Sequence, residues 1–306
     1  MRIQRGFGLR ASADRAVAIG NFDGVHLGHQ QILAVLTERG RGMRIPTAVV
    51  CFEPQPKEYF AGAEAPPRLM RLRDKAERIA AAGVDELRVL RFDARLAALA
   101  AEEFIGRVLV EAVGARQVVI GEGFRFGHER RGDAEALRQA GDAHGFAVTE
   151  VAPRLEGGRP VSSTRVREVL AAGRLEEAKS LLGRDYRISG RVVAGDELGR
   201  TLGFPTANLR LHWRVSPVAG IFAVRVSGPG LARHPGVASV GTRPTVGGGE
   251  WLLEAHLFDF AGDLYGARLD VDFIARLRDE IRFPDLESMT RRMQDDAREA
   301  RRLLDA

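Results

Sequence analysis

Apolar runs and amphipathic stretches alternate along the first half of the chain. The apolar runs lie at 16–19, 46–52, 87–91, 116–120 and 146–151, and the amphipathic stretches lie near 28–39, 73–82, 101–113 and 133–144. Short apolar runs suit buried strands, whereas apolar residues spaced three or four apart suit helices. Because strands that alternate with helices are typical of βαβ units, we predict five parallel strands with helices on both faces.

The pattern changes in the second half. Two helices are predicted first, from Thr164 and from Arg174, the second ending at Gly183. Runs of alternating or β-branched residues then appear at 186–189, 220–226, 252–258 and 269–274, separated by turns rich in glycine and proline. Such runs indicate an antiparallel barrel, which a helix over 285–304 closes.

These patterns predict an α/β chain of two domains. The change in composition falls at about 184–187. We therefore expect a first domain over 1–185, with a parallel sheet, and a second domain over 186–306, with an antiparallel barrel and a terminal helix.

The turn after the first apolar run carries the first chemical signal. It reads Gly20-Asn21-Phe22-Asp23-Gly24-Val25-His26-Leu27-Gly28-His29. The free amides of a helix N-terminus attract an anion, and the imidazoles of His26 and His29 are placed to reach its oxygens. Ligands bind parallel sheets at this end of the strands, so the turn predicts a phosphate site. The alternative is that the two histidines only cap and solvate the turn.

Three further segments follow predicted strands and are expected at the same edge of the sheet. They are Phe52-Glu53-Pro54-Gln55-Pro56, Gly121-Glu122-Gly123-Phe124-Arg125-Phe126-Gly127 and Ser162-Ser163-Thr164-Arg165-Val166-Arg167. The last segment offers three hydroxyls and the amides of a new helix, with Arg167 one turn later, which suits a polyphosphate. A plain helix N-cap by Ser163 or Thr164 is the alternative.

A glycine-rich segment opens the second domain. It reads Gly190-Arg191-Val192-Val193-Ala194-Gly195-Asp196-Glu197-Leu198-Gly199-Arg200-Thr201-Leu202-Gly203-Phe204-Pro205-Thr206-Ala207-Asn208. Its amides are suited to wrapping phosphates, and Thr206 and Asn208 project short oxygen ligands to one side, which suits Mg²⁺. A generic glycine-rich hairpin is the alternative.

A lone carboxylate interrupts a later apolar run. Glu254 lies in Leu252-Leu253-Glu254-Ala255-His256-Leu257-Phe258, on the same strand face as His256. Burial would raise the pKa of this carboxylate toward the working range of a general base. The alternative is a barrel residue whose carboxylate lies in solvent.

Charge adds little to this picture. The chain has 46 basic and 41 acidic residues, a net charge of +5 and a pI near 9.9. The most basic region, 291–302, also contains acidic residues, and we predict ion pairs between Arg291 and Asp295 and between Arg292 and Asp296. A solvated helix face explains this region better than a nucleic-acid surface does, so anionic small molecules are the expected partners.

Rare residue types exclude several classes of protein. Cys51 is the single cysteine, so neither a disulfide framework nor a cysteine-based zinc cluster is expected, and we interpret it as a packed strand residue. The lysines are Lys57, Lys75 and Lys179, and none lies in a P-loop. No apolar stretch approaches the roughly 20 residues that span a bilayer, so a cytoplasmic protein without membrane partners is expected.

Two groups of motifs resemble known families. The histidine turn and residues 162–167 resemble the nucleotidylyltransferases of the His-x-Gly-His class. Residues 190–208, 236–245, 252–258 and 263–266 resemble the riboflavin kinase module. In this order, over residues 16–304, they resemble the bifunctional prokaryotic riboflavin kinase/FAD synthetase family. The resemblance implies a Rossmann-like nucleotidylyltransferase domain followed by a β-barrel riboflavin kinase domain.

The resemblance also implies substrates and residue roles. Riboflavin and ATP would give FMN and ADP in the second domain, and FMN and ATP would give FAD and pyrophosphate in the first, with Mg²⁺ required. The implied ATP-binding residues of the first domain are Gly20, Phe22, Asp23, His26, His29, Ser162, Ser163, Thr164 and Arg167, of which His26, His29 and Arg167 are catalytic.

In the second domain, the implied ATP-binding residues are Gly195, Gly199, Gly203, Thr206 and Asn208. By the same resemblance Thr206 and Asn208 bind Mg²⁺, and Glu254 deprotonates the 5′-hydroxyl of riboflavin. Phe124, Arg243 and Tyr265 are the implied flavin contacts.

Two positions depart from the family pattern. Gly123 stands where the family usually has Asp or Asn, and Ser239 stands where the kinase pattern usually has Asn. One alternative is therefore a riboflavin kinase with weakened adenylyltransferase activity, and another is a non-catalytic regulator that binds a flavin or a nucleotide. Homo-oligomer formation stays open.

Overall fold

The computed structural model describes residues 1–8, 10–195, 203–211, 214–243 and 250–305, and of Arg243 and Glu250 only the backbone. The chain divides into two compact units. The first unit comprises Met1–Pro66 and Leu72–Ser162, and the second comprises Pro67–Arg71 and Ser163–Ala306.

The first unit is built on a parallel sheet in the strand order β1-β4-β3-β2-β5-β6. Its strands are β1 Arg2–Arg5, β2 Arg15–Ile19, β3 Thr47–Glu53, β4 Glu86–Arg91, β5 Ala115–Gly121 and β6 Ala147–Val151. Successive residues of β2, such as Val17 and Ala18, point to opposite faces and are both fully buried, so both faces of the sheet are covered. The predicted parallel α/β architecture is confirmed.

The predicted number of strands was wrong by one. β1 pairs in parallel with β4 at the edge of the sheet and makes it six-stranded. Its sequence, Arg2-Ile3-Gln4-Arg5, contains one apolar residue, and that residue is exposed. An edge strand of this kind has no hydrophobic run, so the pattern that identifies buried strands does not detect it.

Helices connect the strands of the first unit near the predicted positions. They are α1 Leu27–Met43, α2 Pro56–Ala61, α3 Leu72–Ala81, α4 Ala94–Ala97, α5 Ala101–Glu103 and α6 Ala134–His144. The stretch predicted as one helix over 101–113 is α5 followed by a π-helix, Phe104–Val113. A short hairpin, β7 Leu155–Glu156 with β8 Arg159–Pro160, follows β6.

The second unit contains the predicted antiparallel barrel, which is closed by six strands in the order β10-β13-β12-β11-β14-β9. The strands are β9 Tyr186–Val193, β10 Ala207–Arg210, β11 Gly220–Gly228, β12 Leu231–Arg243, β13 Glu250–Leu257 and β14 Arg268–Arg278. The helices are α7 Ser163–Ala171, α8 Leu175–Leu182 and α9 Leu286–Leu304. The two predicted helices before the barrel and the closing helix are all present.

Helices α7 and α8 belong to the same compact unit as the barrel. The change in sequence pattern lies further along the chain, at about 184–187. The domain limits 1–185 and 186–306 therefore stay a prediction.

Helix α9 packs on the barrel through a small apolar cluster and a buried ion pair. Ala300 and Leu304 pack with Ala223 and Phe258. The Arg278 guanidinium donates hydrogen bonds to both carboxylate oxygens of Asp296, over distances of 2.6 to 3.0 Å. This bidentate ion pair fixes α9 against β14.

One of the two ion pairs predicted on α9 is present. Arg292 lies 3.4 Å from Asp296. Arg291 instead pairs with Glu287, the acidic residue one turn earlier, at 2.7 Å, while Asp295 pairs with Arg298. A helical arginine has acidic neighbours in both directions here, and sequence spacing does not decide between them.

Candidate functional site

The histidine turn lies where the strand order of the parallel sheet reverses. β2 pairs with β3 on one side and with β5 on the other. Open parallel sheets bind ligands in the crevice at such a point, beyond the carboxyl ends of the strands. The turn that joins β2 to α1 is therefore in the expected place for a ligand site.

The backbone of this turn is strained. Phe22, Gly24 and Val25 have positive φ angles of 49°, 84° and 39°. A β-branched valine rarely adopts this conformation, and such residues cost of order 1–3 kcal/mol and cluster at functional sites. Burial holds the turn, since Phe22 and Val25 are both almost fully enclosed.

The two histidines form a stacked pair at the start of α1. His26 is the N-cap residue, and its Nδ1 accepts a hydrogen bond from the backbone N–H of His29 at 3.3 Å. The two rings are 3.7 Å apart between centroids and 20° from parallel. Because Nδ1 of His26 is an acceptor, a neutral ring carries its proton on Nε2.

The lack of a side chain at Gly28 allows close packing around the two histidines. A Cβ at this position would lie 3.2 Å from the imidazole of His26 and 3.3 Å from the carbonyl oxygen of Val161. Glycine thus lets the His26 ring and a second backbone segment approach the helix start together. Since Val161 precedes Ser162, the structure places Ser162 next to the histidine turn.

His29 is held as a neutral imidazole. Burial lowers its pKa well below 6.5, and the charges of His26 and Lys75 lower the pKa further. Its Nδ1 atom is buried and has no hydrogen-bond partner among the described residues. A neutral imidazole at a helix N-terminus donates a hydrogen bond to an anion without adding charge of its own.

Other predicted residues of this site are divided between the two units. Gly20, Phe22 and Asp23 lie in the histidine turn, and Asp23 is buried there. Ser163, Thr164 and Arg167 begin α7 in the second unit, where Arg167 Nε donates to the carbonyl of Pro67 at 2.6 Å. Their convergence on the histidine turn stays a prediction.

The predicted flavin residue of the first unit is a partly buried aromatic. Phe124 packs against the buried cluster of the sheet and stacks on Phe126, with centroids 5.8 Å apart and planes at 17°. The preceding residue, Gly123, has a φ of 72°, and no atom lies within 4 Å of the position that its Cβ would take. The missing Asp or Asn side chain thus leaves open space at this turn.

In the barrel, the strand register brings together residues that are far apart in sequence. Asn208 of β10 is the direct neighbour of Glu254 on β13. Ser239 of β12 is the neighbour of Glu254 on its other side. Facing residues of antiparallel strands project to the same side of the sheet, so the three side chains form a row across three strands.

This row lies on the outer face of the barrel. Leu253 and Ala255, which flank Glu254, are fully buried in the interior, whereas Glu254 and His256 are half-buried on the opposite face. The predicted sharing of a face by Glu254 and His256 is confirmed. A half-buried carboxylate on an outer face remains accessible to a substrate hydroxyl.

The side chain of Asn208 has a buried oxygen that is suited to bind a ligand. The residue is 6% exposed, its Nδ2 donates to the carbonyl of Thr206 at 3.4 Å, and its Oδ1 is buried without a hydrogen-bond partner in the described part of the chain. A Cβ at Gly195 would clash with the Asn208 amide. Glycine at position 195, two residues after the end of β9, therefore lets this backbone segment approach the Asn208 side chain.

The segment before β10 packs on β13 through His256. Nδ1 of His256 lies 2.9 Å from the carbonyl oxygen of Pro205, and its ring meets that of Phe204 edge-on at 5.0 Å. Burial lowers the pKa of His256, and the charge of Arg301 also lowers it. These contacts fix the segment that carries Thr206 beside the strand that carries Glu254.

The remaining kinase residues are less fully described. Gly203 has a φ of 81° and Tyr265 is 53% exposed, its backbone N–H bonded to Asp263 Oδ1 at 2.8 Å. Gly199 and the side chain of Arg243 lie outside the described residues. Their implied roles stay predictions.

Sequence reasoning missed two charged groups near these sites. Glu280, after β14, holds its carboxylate in the space that Gly241 leaves open, and burial and the charge of Glu254 raise the pKa of Glu280. Lys75 of α3 is buried, and its charge contributes to the lowered pKa of His29. For Lys75 a signal existed, since it falls on the apolar face of its helix, four residues before the buried Ile79.

Two kinds of feature are absent from the described residues. No three His, Cys, Asp or Glu side chains come together there as a metal-binding group. Among these residues, no helix is both long and apolar enough to cross a membrane.

Comparison with known families gives a match for each half of the chain. The family model for FAD synthetase matches residues 9–165. The family model for riboflavin kinase matches residues 182–304. The two matches follow each other in the order that the sequence motifs predict.

Relatives of known activity match nearly the whole chain. A bifunctional riboflavin kinase/FMN adenylyltransferase of Escherichia coli strain K12 is 49% identical over 285 residues, which cover 93% of this chain and 91% of the relative. A protein of the same name from Pseudomonas fluorescens is 47% identical over 307 residues, which cover 99% and 98%.

A solved structure has the same fold. It is titled as a macrolide-efflux protein from Streptococcus pneumoniae, and it superposes with a TM-score of 0.83 at 30% identity, covering 97% of each chain. The two family models and the relatives, which match nearly the whole chain, indicate the same family. The chain belongs to the family of bifunctional riboflavin kinases/FMN adenylyltransferases.

Proposed function

We propose that this chain phosphorylates riboflavin to FMN at the barrel and adenylylates FMN to FAD at the histidine turn. The row of Asn208, Glu254 and Ser239 carries the proposal for the first reaction. The stacked His26 and His29 at the start of α1 support the second. Both reactions consume ATP, for which the cytoplasm is the natural compartment.

In the kinase reaction, Glu254 accepts the proton of the riboflavin 5′-hydroxyl. The hydroxyl oxygen then bonds to the γ-phosphorus of ATP, the bond to the β,γ-bridging oxygen breaks, and ADP leaves. Glu254 is suited to this role because it is half-buried on an accessible face beside two polar neighbours.

The residues present fit a Mg²⁺ ion beside Glu254. Oδ1 of Asn208 is a buried oxygen without a hydrogen-bond partner among the described residues, and Thr206 lies two residues away. Asn208 and Thr206 would hold the ion by neutral oxygens, which leaves the remaining positions to phosphate and water. When bound, Mg²⁺ neutralises negative charge on the transferring phosphoryl group.

In the adenylyl transfer, the protein aligns two anions and needs no nucleophile of its own. A phosphate oxygen of FMN bonds to the α-phosphorus of ATP, the bond to the α,β-bridging oxygen breaks, and pyrophosphate leaves. The His26 and His29 imidazoles and the amides of α1 would stabilise the charge that spreads over the phosphates. We assign Ser162, which follows Val161 beside the start of α1, to the same polyphosphate.

One incubation tests both reactions. Purified chain is mixed with riboflavin, ATP and Mg²⁺, and the flavins are separated over time. The proposal predicts that FMN rises first and that FAD follows with an equal amount of pyrophosphate, and that chelation of Mg²⁺ stops both. FMN without FAD would support a kinase with weakened adenylyltransferase, and unchanged riboflavin would support a non-catalytic regulator.

The open space at Gly123 gives the weakened-adenylyltransferase alternative its own test. The φ of Gly123 is 72°, a conformation that asparagine tolerates better than most residues, and no atom within 4 Å would obstruct a Cβ. If the missing polar side chain limits adenylyl transfer, Gly123→Asn increases FAD formation from supplied FMN and leaves FMN formation unchanged. An equal or lower rate of FAD formation contradicts that alternative.

A further inference from the structure

A second carboxylate lies on the outer face of the barrel, over a glycine of β12. A Cβ at Gly241 would overlap both carboxylate oxygens of Glu280, the second residue after β14. The carboxylate of Glu280 therefore occupies the place of the side chain that position 241 lacks. Because Glu280 as a whole is exposed, a ligand has access to this group from solvent.

The strand register connects this carboxylate with the row of Asn208, Glu254 and Ser239. Gly241 and Ser239 are two residues apart on β12, so they face the same side of the sheet, and Ser239 is the direct neighbour of Glu254. Position 241 is thus a diagonal neighbour of Glu254. Such diagonal neighbours lie roughly 7–8 Å apart, which is within reach of long side chains. The carboxylate of Glu280 therefore extends the row at the end opposite to Asn208.

The charges around Glu280 agree with this placement. Burial raises the pKa of Glu280, and the charge of Glu254 raises it further, whereas the charge of Arg278 lowers it. The Arg278 guanidinium is itself bound to the Asp296 carboxylate of α9. Two carboxylates thus share this part of the outer face. Since ionised carboxylates only accept hydrogen bonds, a ligand that contacts both must carry donors, as a polyhydroxylated molecule does.

We propose that Glu280 determines the specificity of the kinase site for a polyhydroxylated substrate, by accepting a hydrogen bond from a secondary hydroxyl of the ribityl chain of riboflavin. The inference rests on the proposed function of the barrel, in which Glu254 accepts the proton of the 5′-hydroxyl. The ribityl chain carries further hydroxyls on the carbons that precede the 5′ carbon. A chain that lies along the row presents one hydroxyl to Glu254 and another to Glu280, and hydrogen bonds to an ionised acceptor are the stronger kind.

Two other roles of Glu280 would have different consequences. A carboxylate that only fills the space over Gly241 would leave the affinity for every flavin unchanged when it is removed. A carboxylate that acts only through the charge of Glu254 would affect all alcohol substrates equally. A direct hydrogen bond to a secondary hydroxyl affects only those substrates that carry the hydroxyl.

A flavin analogue isolates the proposed contact. In the analogue a 5-hydroxypentyl group replaces the ribityl chain, so the terminal hydroxyl is kept and the secondary hydroxyls are missing. The full chain is incubated with riboflavin and Mg-ATP, and the sum of FMN and FAD gives the KM for riboflavin. Inhibition of this reaction by the analogue gives the Ki of the analogue, whether or not the analogue is itself phosphorylated.

Three single variants and one double variant are compared with the parent. Glu280→Ala removes the carboxylate. Gly241→Ala keeps the carboxylate in the chain and occupies its place, and the backbone of Gly241, which does not have a positive φ, accommodates alanine. Asp279→Asn is the matched control, because it removes one negative charge from the adjacent residue, whose exposed carboxylate pairs with Arg276.

We expect Glu280→Ala to raise the KM for riboflavin by about 10- to 100-fold and to leave the Ki of the analogue unchanged. Gly241→Ala should raise the same KM, and the double variant should resemble Glu280→Ala, because both substitutions remove one contact. Asp279→Asn should keep both parent constants. In the parent, the Ki of the analogue should exceed the KM for riboflavin, since the analogue leaves the carboxylate of Glu280 without its donor.

Several results would overturn the proposal. An unchanged KM for riboflavin in Glu280→Ala does so, and so does an equal rise of the KM and of the Ki. A parent chain that binds the analogue as tightly as riboflavin also contradicts it, and a parent-like KM in Gly241→Ala contradicts the placement of the carboxylate on which it rests. A parent chain that does not phosphorylate riboflavin contradicts the proposed function itself, independently of Glu280.

Discussion

Asn208 and Glu254 are direct neighbours across β10 and β13 of the barrel. Neighbouring positions of antiparallel strands have their Cα atoms roughly 4.5–5.5 Å apart, and their side chains project to the same side. The register therefore places a buried amide oxygen with no hydrogen-bond partner in the described structure beside a half-buried carboxylate. A metal ligand and a proton acceptor in this arrangement suit phosphoryl transfer to a hydroxyl.

Replacing Glu254 by glutamine should stop FMN formation. The amide keeps the size of the side chain and removes its capacity to accept a proton, so we expect the rate of riboflavin phosphorylation to fall by about 10²–10⁴-fold. FAD formation from supplied FMN should remain at the parent rate, because the histidine turn lies in the other unit. The two rates are measured on one preparation, and a Glu254→Gln chain that forms FMN normally would refute the assignment.

Gly195 and Asn208 should be coupled in the kinase reaction. Gly195→Ala introduces a Cβ that clashes with the Asn208 amide, so we expect a higher Mg²⁺ concentration for half-maximal FMN formation. Asn208→Ala removes the amide oxygen and should raise the Mg²⁺ requirement at least as much.

The double variant provides the control for that coupling. If Gly195→Ala acts by displacing Asn208, adding it to Asn208→Ala should change the Mg²⁺ requirement little further. Fully additive effects of the two substitutions would show that position 195 acts by another route.

Replacing His29 by alanine should affect only the other product. The imidazole is lost from the helix N-terminus while the barrel is untouched, so FAD formation from FMN should fall by roughly 10²–10³-fold and FMN formation should stay intact. Separation of the flavins after incubation with riboflavin and Mg-ATP measures both. Parallel loss of the two activities would instead indicate a folding defect or a shared site.

His29 should also make the first unit sensitive to acid. Its folded-state pKa is lowered below 6.5, so below pH 6.5 the unfolded chain binds a proton that the folded chain does not. The corresponding stability is fully present above pH 6.5 and is lost as the pH falls toward the folded-state pKa, by at most about 1.4 kcal/mol per pH unit.

His29→Gln should flatten that dependence. Denaturant unfolding of the first unit between pH 7 and pH 5 gives the slope, and His144→Gln, at an exposed helix position, is the matched control that should keep the parent slope. An identical slope in the parent and in His29→Gln would show that His29 does not titrate differently on folding.

Much of the architecture follows from the sequence because its signals are local. Hydrophobic runs mark the buried strands, and the glycines and histidines of residues 20–29 mark the turn after β2. The edge strand β1 has no such run, and it forms only because β4 offers a free edge for pairing. Its existence depends on a partner more than eighty positions away, which periodicity does not reveal.

The residues of the two candidate sites likewise fall into those that the sequence predicts and those that it does not. The sequence placed Thr206, Asn208 and Glu254 in one site by resemblance, and the register of β10, β12 and β13 explains their proximity. Lys75 and Glu280 were missed because only the folded chain buries them and brings the charge of Lys75 to act on His29 and that of Glu254 to act on Glu280. Charged residues after a strand are ordinarily solvated, so nothing local distinguishes Glu280, whereas the only local signal for Lys75 is its position on the apolar face of α3.

Isotope transfer from ATP tests the central claim that two different phosphorus atoms are transferred at two sites. The parent chain is incubated with riboflavin and ATP that carries a label on either its γ- or its α-phosphorus. We predict that the γ label enters FMN and is retained in FAD, that the α label enters FAD only, and that His29→Ala transfers the γ label alone. An α label in FMN, or FAD that lacks the γ label, would contradict the proposed division of labour between barrel and sheet.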